Sequence, residues 1–370
     1  MTRRRADPKT ARNSRKRGRV IGRFMIYGAT GYMGKLLTRR AKALGLRPLL
    51  AGRNAARLRA VADESGFEYR VVDLADGTAL RQAVAEVDTV LHVAGPFSKT
   101  SPPMLEACLG ARKHYLDITG EIDVFEACAG SGAAALQAGI TIMPGCGFDV
   151  VPSDCLAAHV KRRLPDAVAL SLAIAGLGKI SRGSAKTGIE SIGLGARVRR
   201  QGRIIALASP PRRQFDFGRG PRPCVAVGWG DVATAYYSTG IPEITVYFES
   251  SRQIEQLVGL SEPLRWLLNW APVQRLLQWQ VDWQQEGPSE AERAAGGAVL
   301  LAEAVNAAGV TVRSRLETPD GYALTATAAL EIARRVVAGE TRPGFHTPSM
   351  AFGADFILDF ESCRRKDLNH

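Results

Sequence analysis

Residues 23–37 read RFMIYGATGYMGKLL, a short apolar run that opens into three glycines, Gly28, Gly31 and Gly34, each three residues from the next. Glycine allows a sharp turn after a strand, a close approach of backbone to a ligand, and tight contact between helix and strand. Phe24, Met25 and Ile26 suit a buried parallel strand, and Met33, Leu36, Leu37, Ala41 and Leu44 recur at helical spacing after the turn. A helix N-terminus should therefore face the turn, where its free N–H groups and dipole favour an anion such as a pyrophosphate. Gly28, Ala29, Thr30, Gly31, Tyr32, Met33 and Gly34 are the residues expected around it. Gly34-Lys35 also suggests the phosphate loop of a nucleoside triphosphatase. The spacing is one residue too long, however, and Leu36 stands where that loop needs a hydroxyl for Mg²⁺.

A chain of 370 residues, 46% of them hydrophobic, exceeds a usual single core and predicts two domains. No apolar run approaches the roughly 18 to 20 residues of a membrane-spanning helix, so a soluble cytoplasmic protein is expected. Cys108, Cys128, Cys146, Cys155, Cys224 and Cys363 form no C-x-x-C pair, and the five histidines show no paired spacing. Reduced thiols and no structural metal follow.

The net charge of +13 is unevenly placed: residues 1–23 hold ten Lys/Arg and one Asp, a net of +9, leaving +4 for the other 347 residues. This tail lacks an apolar core for a secretory signal and has the composition of a disordered segment. Nonspecific attraction to polyanions follows from it, but not specific nucleic-acid binding. Met25, just before IYGATG, offers an alternative start that would leave the tail untranslated.

Helical patterns and apolar strands then alternate. RPLLAGR (47–53), YRVVDL (69–74), DTVLHVAGPF (88–97), HYLDITGE (114–121) and ITIMPGCGFD (140–149) read as strands, with helices from about Pro102 to Lys113 and through 122–138. Six strands separated by helices predict an α/β fold, a Rossmann-type doubly wound parallel sheet whose ligands sit outside the carboxyl ends of the strands.

Those ends carry the remaining candidates. Arg53 stands about twenty residues after the glycines, where an NAD enzyme places an acid on the ribose; an arginine there suits a 2′-phosphate, so NADP is predicted. Asn54 beside it is a plausible N-cap, and Asp73 can accept from an adenine amino group or cap a helix. Ala94, Gly95 and Pro96 let backbone lie against the cofactor. Asp117 and Glu121 suit acid/base or substrate-orienting roles, or a helix cap. In PGCGFDVVPSD (144–154), Asp154 reads as a cap of the helix beginning near Cys155, whereas Asp149 reads as the polar contact to substrate or nicotinamide. Lys186 and Thr187, near the start of a helix fed by the glycine-rich segment 181–200, suit an anionic group.

The set GATGYMG, LAGRN, VAGPF, YLDITGE and PGCGFDVVPSD, in this order and spacing, resembles the saccharopine dehydrogenase-like oxidoreductases, particularly the trans-acting enoyl reductases. GYALTATAALEIARRVVAGE (321–340) and GFHTPSMAFGADFIL (344–358) resemble that branch's closing segments. The resemblance implies NADP on the first domain, a second α+β domain with a mixed sheet, and a last segment returning to the first. The expected division is a basic tail (1–23), an NADP-binding Rossmann domain (24–150), a substrate and dimerisation domain (151–343), and the returning segment (344–370). AVALSLAIAGLG from Ala167, PCVAVGWG (223–230) and EITVYFES (243–250) read as strands; 298–319 is ambiguous by periodicity, and the resemblance favours a hairpin.

Four of the five tryptophans, Trp266, Trp270, Trp279 and Trp283, fall in 254–283 as two i, i+4 pairs. Each pair shares a helix face, which suits internal or subunit packing in a homo-oligomer, a tunnel for a lipid-like substrate, or peripheral membrane contact. No Tyr-x-x-x-Lys relay and no Gly-x-Ser-x-Gly elbow occurs. The expected activity is hydride transfer from NADPH, with the resemblance implying a C=C bond of an enoyl thioester or lipid-like acceptor. Saccharopine-type C–N chemistry, which would need converging arginines beyond Arg197, Arg199 and Arg200, and a non-catalytic NADP-binding or membrane-associated scaffold remain as alternatives.

Overall fold

The structure is a computed structural model that describes residues 22–192, 195–251, 255, 262–281, 283 and 285–368. Most of the basic tail (1–21) and parts of the Trp-rich stretch lie outside the described residues. From the amino terminus run β1 (Phe24–Tyr27), α1 (Tyr32–Ala43), β2 (Leu49–Gly52), α2 (Ala55–Ser65), β3 (Tyr69–Val71), α3 (Gly77–Ala85), β4 (Thr89–His92), α4 (Phe97–Ala111), β5 (His114–Asp117), α5 (Ile122–Gly130), α6 (Gly132–Ala138) and β6 (Thr141–Met143). The six strands are parallel in the order 6-5-4-1-2-3. Their order reverses between β1 and β4, which opens a crevice beyond their carboxyl ends.

Two helices differ from the sequence reading. The expected helix 122–138 breaks at Ser131, between Gly130 and Gly132, into α5 and α6. Helix α4 begins at Phe97 rather than near Pro102, because the Glu121 carboxylate accepts from the Phe97 and Ser98 N–H groups and caps it there.

After β6 the chain leaves this sheet through α7 (Val151–Arg163) and builds a second one from β7 (Ala167–Ala175), β8 (Ala196–Arg200), β9 (Arg203–Leu207), β10 (Arg212–Asp216), β11 (Pro221–Val227), β12 (Glu243–Glu249), β13 (Gly297–Asn306) and β14 (Thr311–Pro319), with α8 (Arg182–Ile192) and α9 (Asp231–Thr239) between strands. It is mixed: β12 runs parallel to β7, while the other pairs are antiparallel, including the β13–β14 hairpin. Strands β8 to β10 go beyond the sequence reading: β8 closes the glycine-rich segment 181–200, read as a loop feeding a helix, and RRQFD of β10 carries a single apolar residue.

Helix Gly321–Val337 then returns to the first sheet and packs against α1 and β4, filling the face that α7 vacates. Its Leu324, Leu330, Ile332 and Val336 join Ile26 and Leu91 of the first sheet, Leu37 of α1, and Leu172, Ile174 and Leu300 of the second sheet in one apolar core. The closing segment is shared between the sheets. β15 (Gly344–Phe345) extends the first beside β6, and β16 (Arg364–Leu368) extends the second beside β14.

The junction of β1 and α1 tolerates no side chain at two positions. A Cβ on Gly34 would lie 2.2 Å from the Gly28 carbonyl oxygen and 2.6 Å from the Ala29 Cα. Backbone cannot yield as a side chain tip does, so Gly34→Ala is expected to cost about 1–3 kcal/mol or more, read as a lower urea midpoint than wild type.

Candidate functional site

The crevice is bounded first by the turn after β1. Gly28 (φ +96°) donates to the Ala51 carbonyl at 2.8 Å, and its missing Cβ would meet Ala94 at 2.8 Å, so β1, β2 and the end of β4 meet at this residue. Ala29 is fully buried and Met33 packs on the core, while Thr30 is half-buried. Gly31 differs from its two neighbours. It is exposed, and the nearest atom to a Cβ there is the Gly28 oxygen at 3.5 Å. Internal packing thus accounts for Gly28 and Gly34 but not for Gly31, which is the N-cap of α1 and offers no side-chain cap. An uncapped helix start beside open backbone suits a pyrophosphate.

Tyr32 contributes backbone at that start, but its side chain belongs to the second sheet's side. The hydroxyl donates to the Pro288 carbonyl at 2.6 Å and accepts from Arg293 at 2.8 Å, and the ring meets Tyr322 edge-on at 5.1 Å. The tyrosine reads as a joint between the two halves of the molecule.

On the adenosine side, Asn54 caps α2 by accepting from the Arg57 N–H. Asp73 accepts from the Ala75 N–H at 3.0 Å in its own turn, and Asp76, not Asp73, caps α3. Arg53 is exposed and makes no hydrogen bond or ion pair among the described residues. A guanidinium held at a strand end without an internal acceptor is suited to an external anion.

The opposite side is framed by the ends of β4, β5 and β6. Ala94 accepts from the Thr100 hydroxyl at 2.6 Å, and Gly95–Pro96 is a cis peptide. Two of the four candidate acid/base or anion-binding residues are occupied here. Glu121 caps α4, and Asp117, fully buried, accepts from the Tyr115 hydroxyl (2.6 Å) and from the Thr119 and Gly145 N–H groups (2.9 and 3.0 Å). Burial raises the Asp117 carboxyl to about 6. Asp154 does not cap α7, which begins at Val151; it reaches the Ser349 N–H at 2.7 Å and fastens the closing segment.

Asp149 is different. Half-buried, its carboxyl makes no hydrogen bond among the described residues, and burial alone raises it to about 7. Gly120 gives way to it, since a Cβ there would lie 2.8 Å from Asp149 Oδ2. Trp229 Nε1 donates to the Asp149 carbonyl at 3.0 Å, bringing the loop after β11 over the ends of β5 and β6. Asp231, the first residue of α9 after that loop, is fully buried, with Oδ2 unpartnered among the described residues, and burial pushes its carboxyl far up. Trp229 and Asp231 were missed in the sequence because GWGD reads as the tail of a strand; a tryptophan between two glycines was the available signal.

Lys186 lies half-buried on α8, away from these strand ends in sequence. The start of α8 is tied to Tyr322, whose hydroxyl accepts from the Ser181 N–H. The arginines of β8 face internal partners: Arg197 pairs with Asp123 (2.6 Å), buried Arg199 with Glu126 (2.7 Å), and Arg200 with Glu243 (3.5 Å). Trp266, Trp270, Trp279 and Trp283 are each more than half exposed (57–78%), on helices Glu262–Asn269 and Ala271–Val281 and just beyond, so packing among the described residues leaves them open. All six cysteines are buried and unpaired. Among the described residues, no helix is long and apolar enough to cross a membrane and no group of three His, Cys, Asp or Glu is placed to hold a metal.

Residues 24–143 match the saccharopine dehydrogenase NADP binding domain, and the first sheet with its helices is an NADP-binding unit. The chain is 32% identical over 154 residues to a trans-acting enoyl reductase of Mycobacterium ulcerans and 31% identical over 154 residues to one of Mycobacterium tuberculosis. Each match covers 38% of this chain and 35% of the relative, so the chain spans about a third of the curated relatives' length. A solved saccharopine dehydrogenase (L-Glu forming) from Saccharomyces cerevisiae shares the fold across 94% of this chain and 100% of its own, with a TM-score of 0.62 at 12% identity.

The Asp149 carboxyl gives a pH signature. Folded, it keeps its proton to about pH 7, whereas unfolded it would release it near 3.8. Its contribution to stability is therefore fully present below about pH 4 and lost as pH rises to about 7. Asp149→Asn should lose less stability than wild type across that window, read from urea midpoints at several pH values.

Proposed function

We propose that the protein is an NADPH-dependent oxidoreductase that reduces the C=C bond of an enoyl thioester or other lipid-like acceptor in the crevice, with Asp149 as proton donor. The observation that carries this reading is the Asp149 carboxyl itself, which is half-buried, without hydrogen-bond partners among the described residues, and able to hold a proton up to about pH 7. A general acid works best with such a value. The residues present fit NADP: Gly31 leaves the start of α1 open for the pyrophosphate, and Arg53 would hold the 2′-phosphate. When bound, NADPH supplies the hydride. Asp149 holds the compensating proton at its carboxyl, Asp117 keeps the β5 and β6 loops in register around it, and Trp229 fixes its backbone from the second domain.

Two further observations favour an enoyl or lipid-like acceptor over an amino-acid one. Arg197, Arg199 and Arg200 are all engaged with acidic partners, leaving β8 no arginine cluster for several substrate carboxylates. The exposed tryptophan face suits an acyl-bearing substrate or the lipid surface that presents it. The enoyl reductase names of the mycobacterial relatives support the same reading.

Two measurements test it. NADPH oxidation should be stimulated by a long-chain 2-enoyl thioester and not by saccharopine-type amino acids, with kcat/KM falling above about pH 7 and Asp149→Asn removing most of the rate; tight NADPH binding without turnover on any enoyl thioester would overturn it. Arg53→Ala should weaken NADPH roughly ten- to a hundredfold, the loss of a charge-assisted contact, while NADH changes little in the same fluorescence titration.

A further inference from the structure

A carboxylate from the segment between β12 and β13 reaches the first turn of α1. Glu286 Oε2 accepts from Lys35 Nζ at 2.8 Å, and Oε1 pairs with Arg182 at 3.1 Å. Arg57, at the start of α2 three residues after the N-cap Asn54, acts on the same carboxylate through space, and these cations hold Glu286 below the usual carboxylate range, Lys35 foremost. The backbone on either side is tied to the same place. The Glu286 carbonyl accepts from the Arg182 N–H at 3.1 Å, Gly287 lies against the Tyr32 ring so closely that a Cβ would come within 2.7 Å, and the Pro288 carbonyl takes the Tyr32 hydroxyl. Residues 286–288 thus form a strap from the second domain across the start of the helix that would meet the pyrophosphate. Its one acidic side chain sits among cations, of which Arg57 follows Arg53 by four residues in the chain.

We propose that Glu286 is an internal stand-in for the 2′-phosphate of NADP: its carboxylate is paired with Lys35, within electrostatic reach of Arg57, until the phosphate displaces it, and the strap is released as NADP binds. The inference rests on the assignment of the 2′-phosphate to Arg53 and adds to it. Lys35 and Arg57 become further phosphate contacts, and Glu286 becomes the residue that sets how strongly NADPH is preferred. A cofactor without the 2′-phosphate has nothing with which to compete for these cations, so NADH leaves the strap in place.

The test uses the full chain and its Glu286→Gln variant, which keeps the side chain's shape and removes its charge. Titration of both with NADPH and NADH should show NADPH binding about two- to fivefold tighter to the variant, the range set by one partly exposed ion pair, and NADH unchanged. Amide exchange over residues 285–289 supplies a second reading. It should quicken in wild type on adding adenosine 2′,5′-bisphosphate but not adenosine 5′-monophosphate, and should already be quick in unliganded Glu286→Gln. NADPH and NADH binding wild type equally would overturn the 2′-phosphate assignment and this inference with it. A clear NADPH preference that Glu286→Gln leaves unchanged, a variant that weakens both cofactors alike, or exchange slowed by the bisphosphate would overturn this inference alone.

Discussion

The architecture depends on one backbone contact, the approach of α1 to the turn after β1 at Gly34 and Gly28. Only with both side chains absent can the helix start where it does, aimed at the point where the strand order reverses between β1 and β4. Everything else on the first sheet is arranged around that start: Ala94 closes on Gly28, helix Gly321–Val337 packs along α1, and the strap at Gly287 rests on Tyr32. Gly31 adds nothing to this packing, and its openness turns a tight junction into a place for an anion.

The acidic residues around the crevice show how environment sorts one chemical group into several roles. Glu121 is tied to two N–H groups at the start of α4, and Asp117 to a phenol and two N–H groups that fasten neighbouring loops. Asp154 is tied to the closing segment. Each has a structural task that accounts for its place. Among the described residues Asp149 has only backbone ties, through its carbonyl to Trp229, and its carboxyl is both partly buried and without partners, so it keeps a proton to near-neutral pH. Proton donation requires that combination, and among the four only Asp149 meets it.

The two sheets are joined by packing. Helix α7 carries the chain from the first sheet to the second, helix Gly321–Val337 carries it back, and the apolar core passes through both. The second domain therefore reaches the first at two places of chemical interest, the Trp229 loop over Asp149 and the Glu286 strap beside Arg57. Both contacts join residues far apart in the chain.

The sequence by itself determined the parallel sheet, the glycine turn and the run of strand ends, because these depend on local rules: apolar runs of strand length, helical spacing, and glycine where a side chain cannot fit. It also singled out Asp149 and Arg53 by their positions at strand ends. Tertiary structure alone decided which of several similar residues were already engaged. Glu121 and α4, Asp154 and Ser349, Tyr32 and Pro288, and Lys35 and Glu286 are partners 24 to 256 residues apart, and nothing local to either partner announces the bond. The same holds for β8 to β10, whose charged side chains hide the strand pattern, and for the tryptophans of 266–283, whose spacing defines a face but not whether it is covered. Spacing along a chain specifies faces and turns; burial and pairing are properties of the assembled fold, and they determine which polar groups are left for a ligand.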